Sequence, residues 1–397
     1  LVACLPGLRA EASAWTLEAA LARASEAAPE VRLAAGVERE AAAARTGAGV
    51  VLPTNPRLFA DYRRLATGPA VEPLNGFNVG LEALFEVSGA GASRLEEAER
   101  RVALAGAELA AERVRARQRA WAAWVEAQVA SQRVAVLEDA QALQLRVERA
   151  SRERQLAGVA GEPDLAAVTV ELASVSAELA EARRLQEVAR MALRAVLDLP
   201  AAEELTLGEP PAEPDFTRGL EEYKARALER RPELATVRAR LQVLEQADDR
   251  LAREAFPRLG VTAGLDAAPS SGAFAWGGLS VELPVAQRNQ GPRAVAVAQS
   301  RTEQDRLALE LERVQREVTV AFRSVSQRRA QLSVLGEQAL PAALRSQALV
   351  EQGWRAGRFD VFRLTAATRE LQRVRKLQLE TLLLAWLDFI ELERTSG

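Results

Sequence analysis

From Ala92 to Leu156 the chain runs for about 65 residues without a proline, in a mixture dominated by Ala, Leu, Glu, Arg and Gln. These side chains lose little freedom on entering a helix, so the run predicts one α-helix over 92–156, roughly 100 Å long at 1.5 Å per residue. Such a helix persists only if it is packed along its length, as in a coiled coil. Abundant alanine permits close approach of neighbouring helices, and the Arg/Glu pairs suit solvated faces. A counterpart occupies about 292–355, where Pro341 predicts a kink or a packing adjustment.

Composition agrees with long helices. Of 397 residues, 48% are apolar but only 5% aromatic, so the apolar share is mostly Ala, Leu and Val rather than the content of a large aromatic core. Length alone would suggest two or three domains. The balance of 52 basic against 55 acidic residues leaves no basic footprint, and nucleic acid is not expected as a partner. There is no His and a single Cys, Cys4, which excludes a His-based triad, a thiol nucleophile and a Cys/His zinc site. No glycine-rich phosphate loop occurs, and no carboxylate pair stands apart from the helical charge pattern. No catalytic residue, cofactor or metal site is therefore expected, and the chain does not read as an enzyme. No run of 18 apolar residues exists, so any membrane crossing must be made by strands.

Residues 1–14 carry two overlapping processing signals. Leu1-Val2-Ala3-Cys4 has the form of a bacterial lipobox, which would make Cys4 a lipidated first residue. Ala12-Ser13-Ala14 has the small-x-small form of an ordinary signal-peptidase site and would release a chain starting at Trp15. Either signal means export; a simple disordered end is the bland alternative.

Self-comparison shows a tandem duplication of about 200 residues. Pro29-Glu30-Val31 recurs as Pro232-Glu233-Leu234, Pro56-Arg57-Leu58 as Pro257-Arg258-Leu259, Gly80-Leu81 as Gly278-Leu279, and Ala157-Gly158 as Ala356-Gly357, always in the same order. The first repeat is expected over 15–208 and the second over 217–397, joined by a Pro-rich linker at 209–216. Each repeat reads as helix, strand, loop, strand, long helix, tight turn, return helix. Strands are expected at about 57–65, 77–87, 258–266 and 274–285, and return helices at about 164–198 and 360–394.

The strands alternate with period two. Phe77, Val79, Leu81, Ala83, Phe85 and Val87 share an apolar face, opposite Asn78, Gly80, Glu82, Leu84 and Glu86. The second repeat places Ala275, Gly277, Leu279, Val281 and Leu283 on one face and Ser280 and Glu282 on the other. The alignment keeps these faces in phase, Leu81 falling on Leu279 and Ala83 on Val281. One apolar and one polar face is the pattern of a membrane β-barrel strand, and equally of a half-buried soluble hairpin. Four strands cannot close a membrane barrel alone, so the barrel reading requires strands shared among copies. Gly68–Pro73 and Pro269–Gly272 would be the exposed hairpin loops. Trp15, Trp121, Trp124, Trp354 and Trp386 read as packing anchors between helices. Trp276 could mark a membrane interface, although its parity puts it opposite the apolar face.

The order of these motifs, from Trp15-Thr16-Leu17-Glu18-Ala19-Ala20-Leu21 to Leu392, resembles the TolC-type outer membrane efflux proteins (outer membrane factors). Leu283-Pro284-Val285-Ala286-Gln287-Arg288-Asn289-Gln290-Gly291 resembles their cation-efflux, CzcC-like members. The resemblance implies a mainly α protomer with a membrane β-barrel part. As a homotrimer it would form a 12-stranded barrel in outer-membrane lipid and an α-helical barrel reaching into the periplasm. It also implies an exit duct docked through a periplasmic adaptor (membrane fusion) protein to an inner-membrane transporter of the RND type. The duct would conduct passively and do no chemistry, with metal cations as candidate cargo. A type I secretion or drug-efflux duct is the alternative within the family, and a soluble coiled-coil scaffold the alternative outside it.

By the same resemblance the two helix–turn–helix tips form the periplasmic gate and adaptor-docking end, comprising Gly158, Glu162, Asp164, Gly357, Arg358, Asp360 and Arg363. Three copies of Asp360 would make a carboxylate ring, while Asp360 could equally be a helix N-cap. The family often carries a second Asp three positions on, where this chain has Arg363; an Asp360–Arg363 pair could hold the tip closed or be a surface salt bridge. Gly158 and Gly357 read as helix-end turns. Glu82 and Glu282 would face the barrel lumen.

Overall fold

A computed structural model describes residues 14–50, 52, 54–65, 74–158, 161–200, 205–209, 216–268 and 272–397. Cys4, most of the linker, the first hairpin loop and residues 269–271 of the second lie outside the described residues, while Gly272, expected in that loop, begins the last strand. In chain order the elements are α1 (Leu17–Ala27), α2 (Pro29–Ala48), β1 (Arg57–Leu65), β2 (Leu74–Glu86), α3 (Ala90–Leu156) and α4 (Glu162–Val196). Then follow α5 (Leu220–Arg230), α6 (Pro232–Glu254), β3 (Arg258–Ala268), β4 (Gly272–Glu282), α7 (Gln290–Val334), α8 (Leu340–Arg355) and α9 (Val361–Ser396).

Local chemistry explains the breaks. Each repeat opens with two helices where one was expected, because Pro29 and Pro232 force extended backbone on Ala28 and Arg231 and then serve as the first residue of the next helix. The long second-repeat helix is also not uniform. A π-helical turn, Leu335–Ala339, separates α7 from α8 just before Pro341, with the Leu340 N–H reaching the Leu335 carbonyl. Proline cannot donate within a helix and its ring crowds the carbonyl one turn back, and the widened turn relieves both.

The chain forms two compact units. One comprises residues up to Arg32 with Ala111–Arg231 and Glu312–Gly397; the other comprises Leu33–Ala110 and Pro232–Leu311. Each draws on both sequence repeats. Among the described residues the regular structure of the first unit is helical, apart from a parallel bridge between Trp15 and Leu207. Trp124, Trp354 and Trp386 are buried in it, as expected of packing anchors. Trp121 meets Trp386 and Phe389 at ring-centroid distances of 6.1 and 5.9 Å, and Phe216 meets Phe322 at 4.8 Å. Alanines fill much of the remainder, with Ala116, Ala120 and Ala127 fully buried on α3.

The second unit holds the sheet, ordered β1-β2-β3-β4 and antiparallel throughout. One row across it is Phe59, Gly80, Gly264, Trp276; the next is Leu58, Leu81, Ala263, Gly277. Where β2 turns into α3, Arg94 donates to both Glu86 oxygens at 2.7 and 2.6 Å and lies 3.7 Å from Glu254. Arg250 bonds Glu97 and Glu254, so alternating charges tie the ends of β2, α3 and α6 together.

In the helical unit Arg231 is 2% exposed and donates to Glu317 at 2.6 Å. Burial pushes the Glu317 carboxyl upward, but hydrogen bonds from Arg231 and Arg313 outweigh it and hold the group below its ordinary value. A carboxyl depressed by folding adds stability above its unfolded pKa of about 4.3, and that contribution disappears as pH falls through the lower, folded value. Glu317→Gln should therefore lower the urea midpoint at pH 7, with the deficit closing below about pH 4. A deficit independent of pH would show that the charge is irrelevant.

Candidate functional site

Two surfaces concentrate the functional signals: the paired helix–turn–helix tips in the helical unit, and the two faces of the sheet in the other.

The second tip is built by local rules. At the end of α8 the Gly357 N–H donates to the Trp354 carbonyl at 3.0 Å and the Arg358 N–H to the Gly353 carbonyl at 2.8 Å, a complete Schellman stop. Gly357 has φ +73°, a conformation that costs a side-chain-bearing residue about 1 to 2 kcal/mol. Asp360 begins α9, its Oδ1 accepting from the Arg363 N–H at 2.8 Å. The side chain of Arg363 goes elsewhere, its guanidinium 4.5 Å from the centre of the Phe359 ring. A side-chain Asp360–Arg363 pair is therefore not what forms. The short cap leaves the carboxylate on the backbone, and the longer arginine finds the aromatic face. Phe359 itself lies over Gly353, where a Cβ would stand 2.3 Å from its ring.

The first tip repeats the stop. Gly158 has φ +73° and donates to the Gln155 carbonyl at 2.9 Å. Asp164 accepts from the Gly161 N–H at 3.1 Å while its own N–H donates to the Gly161 carbonyl at 3.2 Å, and Glu162 adds a second carboxylate to the first turn of α4. The tips share one core: Val147 of α3, Val168 of α4, Trp354 of α8, and Val361 and Leu364 of α9. Arg154 spans it, stacked 4.6 Å from the Trp354 ring and donating to the Trp354 carbonyl at 2.8 Å. Above this core α4 and α9 are linked by the pairs Glu171–Arg369 and Glu178–Lys376, seven residues apart on each helix. These pairs were not singled out from the sequence, where they merge into a charge-rich surface.

Thus the structure gathers Gly158, Glu162, Asp164, Gly357, Arg358, Asp360 and Arg363 at the ends of helices that share one core, while Glu82 and Glu282 lie on the sheet. Gly353→Ala should destabilise the protein by roughly 1 to 3 kcal/mol by dislodging Phe359. Adding Phe359→Ala should cost less than the sum of the single changes, as read by thermal melts; strict additivity would remove the proposed contact.

The sheet separates chemistry along most of its length, with Arg64 and Asn75 interrupting the apolar face at its loop end and Phe59, Leu84, Phe274 and Trp276 lying on the polar face. On one face lie Leu58, Tyr62, Phe77, Leu81, Phe85, Val261, Leu265, Leu279 and Val281, all exposed, with Leu279 at 75%. On the other lie Arg57, Asp61, Arg63, Glu82, Arg258, Asp266 and Glu282. Glu82 is half-buried opposite Arg57 and Thr262, and Glu282 sits 4.0 Å from Arg258. Trp276 belongs to the polar face. Its ring lies 6.1 Å from Phe59, and its Nε1–H donates to Asn78 Oδ1 at 3.0 Å. It is therefore not placed to anchor an apolar-face interface. Gly80 and Gly264 form the floor beneath these two rings, since a Cβ on either would collide with the ring above. Among the described residues no helix is long and apolar enough to cross a membrane, and no group of three or more acidic or Cys side chains could hold a metal ion.

No family model matches the chain. It is 27% identical over 292 residues to the cobalt-zinc-cadmium resistance protein CzcC of Cupriavidus metallidurans, covering 73% of this chain and 70% of that protein. Among solved structures, the outer-membrane channel OprN matches with a TM-score of 0.78 at 19% identity, covering 96% of this chain and 89% of OprN. CusC, which forms a transmembrane channel, matches with a TM-score of 0.77 at 16% identity, covering 96% and 92%. The long helices and the single four-stranded antiparallel sheet are the fold of these channel proteins.

Proposed function

We propose that this chain, with its channel-protein fold, is the outer-membrane exit duct of a bacterial efflux system, a passive conduit rather than an enzyme. One observation carries the proposal: a sheet with a broad exposed apolar face, polar only at Arg64 and Asn75 by the loop end, and a charged opposite face, whose two outer strands have unpaired edges. Bilayer lipid accommodates the first face, and water in a lumen accommodates the second. Lipid cannot satisfy the free N–H and C=O groups of β1 and β4, so the sheet must close with other copies. Three copies give twelve strands, an even-numbered barrel. The helices then lie in the periplasm, with the tips available to a periplasmic adaptor and, through it, an RND-type inner-membrane transporter.

Likeness to CzcC favours divalent metal cations as the cargo over secreted proteins or drugs. The chain has no His and one Cys, so its lumen offers few of the ligands that retain soft metals. Asp360 is the residue proposed to act at the gate. Three copies on a threefold axis would attract cations, and each caps its own helix at the same time.

Detergent-extracted protein should run as three copies of the 42.9 kDa chain and form channels in planar bilayers. Loss of the gene should sensitise its host to cobalt, zinc or cadmium. Recovery as a soluble monomer would refute the duct, whereas sensitivity to drugs alone would redirect the cargo. Asp360→Ala should weaken block by divalent cations and cost about 1 kcal/mol from the lost cap. Unchanged block would reduce Asp360 to a cap.

A further inference from the structure

On the polar face of the sheet, a row without charge lies between two rows that carry it. Arg57, Glu82, Thr262 and Gly278 form one charged row across the strands, and Asp61, Asn78, Asp266 and Phe274 form the other. Between them run Phe59, Gly80, Gly264 and Trp276, with no ionisable side chain. Glycine weakens a strand interior, because it costs chain entropy and brings no side chain to pack, so two paired glycines on the central strands mark a close approach. A Cβ on Gly80 would lie 2.4 Å from Cζ of Phe59 and 2.9 and 3.0 Å from its two ε carbons, where carbon atoms normally keep about 3.5 to 4.0 Å. The nearest atom is the far end of the ring, so Phe59 reaches across onto the neighbouring strand instead of rising from the sheet. A Cβ on Gly264 would lie 2.8 Å from Cζ2 of Trp276, which leans inward from the opposite edge with its indole N–H held by Asn78 at 3.0 Å. The two rings, both half-buried, meet above the glycines at 6.1 Å.

We infer that Gly80 and Gly264 set the bore of the duct at this level, and so the size of what passes. The inference rests on the barrel reading, in which the polar face lines the lumen. Three copies then bring six aromatic rings to one level of the wall. Upright rings would project into the passage and narrow it. Laid over glycine they follow the wall, and the passage stays open to bulky or fully hydrated cargo. Rings packed on glycine also stabilise sheets of any function, so the discriminating readout is the width of the passage and not stability.

Polymer exclusion in planar bilayers measures that width. Polyethylene glycols of graded size are added to the full-length protein's channels on the side of the hairpin loops, and the largest polymer that lowers single-channel conductance reports the sheet end of the duct. Gly80→Ala should lower this limit by at least one size in the series, because the added Cβ lifts Phe59 off the sheet. Gly80→Ala/Phe59→Ala should return it to within one size of the unmodified protein. Gly277→Ala, on the apolar face with an ordinary 3.7 Å contact to the Thr262 carbonyl, should leave it unchanged. Gly264 makes a poorer test, since a Cβ there would also meet the Val79 carbonyl at 2.6 Å and displace backbone. Should Gly80→Ala fail to assemble, Phe59→Ala/Trp276→Ala tests the same geometry: removing rings that lie along the wall should shift the limit by no more than one size. A rise of several sizes in that variant overturns the inference, as does an unchanged limit in Gly80→Ala or a Gly80→Ala/Phe59→Ala channel that stays narrow. Absence of channels from the unmodified protein overturns instead the barrel reading itself.

Discussion

Unpaired backbone at the edges of β1 and β4 is the constraint on which the proposed assembly depends. In water an edge strand is a liability that solvent can satisfy; in lipid each unpaired group costs several kcal/mol, and only closure removes the edge. A sheet of four strands cannot curl onto itself, so in the proposed duct its membrane part is stable only through other copies. The exposed apolar row from Leu58 to Leu279 makes the same demand, because it is far more apolar surface than a water-facing sheet face tolerates.

The polar face answers a different requirement. Phe59 and Trp276 come from the two outer strands and lean over Gly80 and Gly264 of the two central ones, meeting at 6.1 Å. Large rings above small residues keep that face packed with the aromatics lying close to the sheet, and the Asn78 oxygen satisfies the indole N–H. At the helical tips the same economy operates with backbone: a left-handed glycine ends each helix, an aspartate side chain closes the start of the next (Asp360 as the N-cap of α9, Asp164 in the first turn of α4), and Phe359 covers the gap left by Gly353. The tips are thus glycine-terminated stops with a carboxylate at the start of each following helix, set on one shared core.

Periodicity carried a great deal. The four strands and the separation of Leu81 from Glu82 follow from spacing of two, because side-chain direction is a property of the local backbone, while the long helices follow from proline-free runs of helix-favouring residues. Helix stops at Gly158 and Gly357 were readable for the same reason, glycine being the residue that enters the left-handed region freely. The break at Pro341 was visible, but its form as a π turn depended on how the surrounding helix accommodates a missing donor. Side-chain partners were less legible. Arg363 sits three residues from Asp360 and could have paired with it, yet cation–π contact with Phe359 claims it. Glu171 and Arg369 look like any other solvated charges until α4 and α9 lie side by side.

From residue order alone came the repeated motifs, the apolar and polar strand faces, and the exclusion of His and Cys chemistry. All of these depend on local backbone geometry or simple composition. The register was settled by folding, since a shift of two residues keeps every side chain on its face and leaves no trace in the hydropathy pattern. Only the observed pairing of Arg57 with Glu82 and of Arg258 with Glu282 distinguishes the alternatives, because hydrogen bonds between strands connect residues that no local rule relates.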